Sequence, residues 1–74
     1  MTTFDHILLF KTDLSSRSAV DLIRPVLDSL EHIEQWNVDL WDEDFVLRVV
    51  SYKATHDEII TLLNRAGHAC AELK

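Results

Sequence analysis

The apolar positions of this chain switch between a period of two and a period of about 3.6, and each switch marks an element. Over residues 4–12, His6, Leu8 and Phe10 alternate with Asp5, Ile7 and Leu9, and both sets are largely apolar. The alternation predicts a strand, and apolar character on both faces predicts a central one. A polar turn follows over 13–16, where Ser15 or Ser16 is placed to cap a helix by accepting from N–H groups that lack an intrahelical partner. Val20, Ile23, Val26, Leu27 and Leu30 then recur at three- and four-residue spacing, the stripe of an amphipathic helix running to about Glu31. Arg17, Asp21, Arg24, Asp28 and Glu31 fall mostly on its other side, a solvated flank. Pro25 lies inside the helix, where it removes one backbone bond and predicts a bend.

Residues 34–41 alternate again, with Trp36, Val38 and Leu40 opposite Gln35, Asn37 and Asp39, which predicts a strand wet on one face. Asp42, Glu43 and Asp44 form a tight acidic connection to a further strand over 45–52, completing a hairpin. Thr55-His56-Asp57-Glu58 reads as a capping box in front of a second helix, whose apolar side is Ile59, Ile60, Leu62 and Leu63. Gly67 closes that helix through a left-handed C-cap, and residues 69–73 make a short last strand. The order βαββαβ implies an α+β fold with a four-stranded antiparallel sheet and two helices on one face.

Composition narrows the setting. A chain of 74 residues with one glycine and one proline leaves no room for linkers, so residues 1–74 are read as a single domain. No apolar run approaches the roughly 20 residues of a membrane span, and no leader-like pattern opens the chain, so a cytoplasmic protein is expected. The single Cys70 excludes an internal disulfide and suits a reducing compartment. Thirteen acidic against seven basic residues give a net charge of −6, which argues against nucleic acid and anionic membrane as partners.

Five pieces in order carry a resemblance to a known family: Lys11-Thr12-Asp13 leading into the first helix, Val20 followed by Pro25-Val26-Leu27, Ile33-Glu34-Gln35-Trp36-Asn37-Val38-Asp39, Val46-Leu47-Arg48-Val49, and Ala66-Gly67-His68-Ala69-Cys70. Together they resemble the heavy-metal-associated domain of copper chaperones and metal-transporting ATPases, in particular a small stand-alone branch of it. The resemblance covers almost the whole chain and implies a ferredoxin-like sandwich. The family holds its metal with two cysteines separated by two residues, and the matching positions here are Ser16 and Ala19. Cu(I) is soft and prefers two nearly collinear sulfurs; a serine hydroxyl stays protonated and hard, and alanine offers no donor. The chain resembles such a domain with its ligands removed, and no cofactor is expected.

Other chemistry is sparse. In this topology the first turn, the hairpin tip and the turn before the last strand share one end, so His68, Ser15, Ser16, Asp42, Glu43 and Asp44 are expected near one another, a donor set that zinc would accept. His68 also reads as a spacer covering the core, and Cys70 as a buried, inert thiol that joins a metal or redox site only if exposed. His6, His32 and His56 are dispersed on different elements and read as surface residues. A serine nucleophile beside His68 lacks an orienting group and oxyanion donors, so no enzyme is expected. The acylphosphatase variant of the fold needs a glycine-rich phosphate turn, and the RNA-binding variant needs a basic face around aromatics such as Phe10 and Phe45. Trp36 reads as packing under the first helix, Trp41 as an exposed aromatic able to anchor an interface.

The reading is a non-catalytic interaction module. Its partner surface comprises Ser15, Ser16, Arg17, Trp41, Asp42, Glu43, Asp44 and His68, and family members dock through this turn largely by charge, which favours a basic protein partner. Two alternatives stay open: residual zinc or copper handling through His68, the 42–44 tip or Cys70, and a small-molecule regulatory module at a dimer interface. The oligomeric state is open, with a monomer expected.

Overall fold

The computed structural model describes residues 6–73, so the strand start expected at Phe4 and Asp5 lies outside the described residues. The elements are β1 (Ile7–Thr12), α1 (Arg17–Asp28), β2 (Gln35–Asp39), β3 (Val46–Val50), α2 (His56–Arg65) and β4 (Cys70–Glu72). The strands form one antiparallel sheet in the order β2-β3-β1-β4. β1 is therefore central, as its two apolar faces predict. Leu8 and Phe10 of β1 and Leu47 and Val49 of β3 line one face, buried beneath Val20, Ile23 and Leu27 of α1 and Ile59 and Leu63 of α2. Side chains alternate across a sheet. Ile7, Leu9, Val46 and Val50 consequently emerge on the opposite face, which neither helix covers, and they remain half-buried.

Ser16 is the cap of α1: its backbone is extended and its Oγ accepts from the Ala19 N–H at 3.2 Å. The helix passes through Pro25 and stops at Asp28, three residues short of Glu31. Pro25 and Asp21 both lie on the exposed flank, so the carbonyl that proline deprives of a donor faces water. Ser29 ends the helix by donating its N–H to the Pro25 carbonyl (3.1 Å) and its hydroxyl to the Val26 carbonyl (2.7 Å). Leu30 still packs on the core, from the connection rather than from the helix.

Thr55 caps α2 as expected, accepting from the Glu58 N–H at 3.2 Å. The other half of the capping box goes elsewhere, because Glu58 Oε1 lies 2.9 Å from His32 Nε2. At the far end Gly67 adopts φ +90°; its N–H reaches the Asn64 carbonyl and the His68 N–H reaches the Leu63 carbonyl, a Schellman closure.

β3 ends at Val50 rather than Tyr52, and the cause is Ser51, the one buried polar residue among those described. Its hydroxyl donates to the His32 carbonyl (2.6 Å) and accepts from the Lys53 and Ala54 N–H groups (3.2 and 3.0 Å). One oxygen thus joins the α1–β2 connection to the β3–α2 turn. Ser51→Ala strands these groups and is expected to lower stability by about 1–3 kcal/mol in urea denaturation. The exposed Ser18→Ala, measured alongside, is expected to stay within about 0.5 kcal/mol.

Candidate functional site

The turn after β1, the β2–β3 hairpin and the turn before β4 meet at one end of the molecule, and Thr12 joins the first two. Its N–H donates to the Asp44 carbonyl (3.0 Å) and its hydroxyl to the Phe45 carbonyl (2.7 Å), while the same oxygen accepts from the Leu14 N–H (3.1 Å). Leu14 is fully buried and anchors the turn in the core. The acidic hairpin is shaped by its own carboxylates: Asp39 Oδ1 accepts from the Trp41 N–H (2.9 Å) and Asp42 Oδ1 from the Asp44 N–H (2.8 Å). Phe45 then turns the chain with φ +46°, a left-handed conformation that costs a non-glycine residue about 1 kcal/mol. That geometry aims its carbonyl at Thr12.

A shallow depression of about 560 Å³ lies between these turns, lined by Asp13, Ser15, Glu43, Asp44, Phe45 and Cys70 among others. His68 flanks it, with Nδ1 3.2 Å from Asp13 Oδ1. Of the residues expected near one another, Ser15, Glu43 and Asp44 line this depression and His68 lies beside it, while Asp42 lines a separate groove and Ser16 lines neither. The histidine is partnered by an aspartate 55 positions away that no sequence spacing singled out. Ser16 is exposed and engaged as a cap. Ala19 packs against the core. Trp41 stands 99% exposed and, with Arg17 and Asp42, lines the separate groove, which also takes in Leu9, Val38 and Arg48.

The donor set does not fit a metal. Ser16 and Ala19 offer no thiolate, and among the described residues no three His, Cys, Asp or Glu side chains gather as ligands. Cys70 is half-buried, and burial, with the Asp13 carboxylate adding to it, pushes its thiol up to about 11. It is held protonated at neutral pH, the reverse of a prepared metal or redox thiolate.

The other histidines are not free surface residues. His6 stacks on Tyr52 with ring centres 4.2 Å apart, His32 meets Glu58, and His56 lies 5.2 Å from the Phe10 ring and 3.8 Å from Glu72. All three are half-buried, because each sits where two elements meet. Phe10 is fully buried against the helices, out of reach of any base. Trp36 lies under α1 as expected: its Nε1–H donates to Asp28 Oδ1 (2.8 Å), and the Arg24 guanidinium sits 5.4 Å from its ring centre.

No protein-family model and no curated protein matches the chain. Solved structures do. The apo form of the heavy-metal-associated domain of a copper chaperone for superoxide dismutase superposes with a TM-score of 0.75 at 24% identity, over 92% of this chain and 66% of that one. The copper(I)-loaded first domain of the human copper chaperone for SOD1 gives 0.75 at 24% identity, over 89% of each chain. The N-terminal domain of ZntA in its Zn(II) form gives 0.74 at 13% identity, over 92% of each. The chain has the fold of a heavy-metal-associated domain, in agreement with the five-piece resemblance.

The raised Cys70 pKa has a direct readout. Iodoacetamide at pH 8 is expected to modify Cys70 roughly a hundredfold more slowly in the folded protein than in urea, because the thiolate fraction falls with the pKa. The folded state holds this proton more tightly, so the thiol leaves stability unchanged below about pH 9, its ordinary value. Stability then falls as pH rises towards about 11. Asp13→Asn removes the lesser cause and is expected to speed the reaction modestly.

Proposed function

We propose that this chain is a non-catalytic domain of the heavy-metal-associated type, one domain over residues 1–74, that docks a protein partner instead of carrying a metal. The observation that carries the reading is the state of the first turn. Its cap, its buried Leu14 anchor and its bonds to the hairpin are all in place, yet the two positions that the resemblance matches to the family's cysteines are a serine engaged in capping and an alanine packed on the core. The printed copper(I) and Zn(II) forms belong to the neighbours. What this chain offers at the same end is charge. Asp13, Asp42, Glu43 and Asp44 surround the depression or its hairpin, which favours a basic partner surface steered by electrostatics and weakened by salt.

Catalysis finds no support in the arrangement. His68 is turned to Asp13, and neither Ser15 nor Ser16 is hydrogen-bonded to it. No described helix is long and apolar enough to cross a membrane, and the unpaired Cys70 suits a reducing, cytoplasmic setting.

Native mass spectrometry with Cu(I) and Zn(II) tests the reading. The wild-type protein is expected to retain neither metal, while Ser16→Cys/Ala19→Cys gains tight Cu(I) because the turn is already built. Metal retained by the wild type and lost in His68→Ala or Cys70→Ser overturns the proposal in favour of a rebuilt site. Once a partner is in hand, Asp42→Lys/Glu43→Lys is expected to slow association about tenfold at low salt and to flatten its salt dependence.

A further inference from the structure

We draw no further inference here: the strongest candidate, the surface groove along β1, β2 and β3 lined by Leu9, Val38, Trp41 and Arg48, carries arginines and aspartates that balance within the chain, and nothing in the structure shows what covers it.

Discussion

Ten apolar side chains packed between one face of the sheet and the two helices hold the described structure together. Among the described residues no second core shares the task. Everything at the surface is positioned by that layer. Leu14 draws the first turn down beside Phe10, Leu27 fixes the α1 face that covers Trp36, and Leu63 seats the end of α2 from which Gly67 and His68 depart. The layer is one-sided, so the outer aliphatics of β1 and β3 stay half-buried on the face that neither helix covers.

The fold was legible because its determinants are local or periodic. Two apolar faces placed β1 at the centre, a one-sided alternation marked β2 as a strand with one wet face, and Gly67 announced the closure of α2. What could not be read were meetings between distant residues. Ser51 looks like the next position of a strand, and only the approach of the His32 carbonyl makes its hydroxyl a junction. Glu58 sits three positions after Thr55 in a perfect capping pattern, yet the half-buried His32 claims its carboxylate. Asp13 and His68 are linked by folding alone. The histidines misled for the same reason: dispersal along the chain says nothing about the seams at which they lie. The exposure of Trp41, by contrast, was readable, because three acidic residues follow it immediately and hold it away from the core.

Ser16, the position that the resemblance matches to a family cysteine, serves the fold as a helix cap. A small hydroxyl that stays protonated is a poor partner for a soft metal and a very good partner for a backbone N–H. That atom explains why the helix starts at Arg17, and it is the basis on which the proposed function leaves the neighbours' metals with the neighbours.

The bonds from Thr12 to the hairpin bear on how any recognition at that end proceeds. The first turn and the acidic tip are clamped through two carbonyls, and the turn is nailed to the core by Leu14. A molecule that reshaped the turn would have to break the hairpin as well. The surface is therefore preorganised: a partner of the proposed kind would meet a rigid template, with little entropy lost in ordering it and selectivity resting on a fixed outline of charges rather than on mutual adjustment.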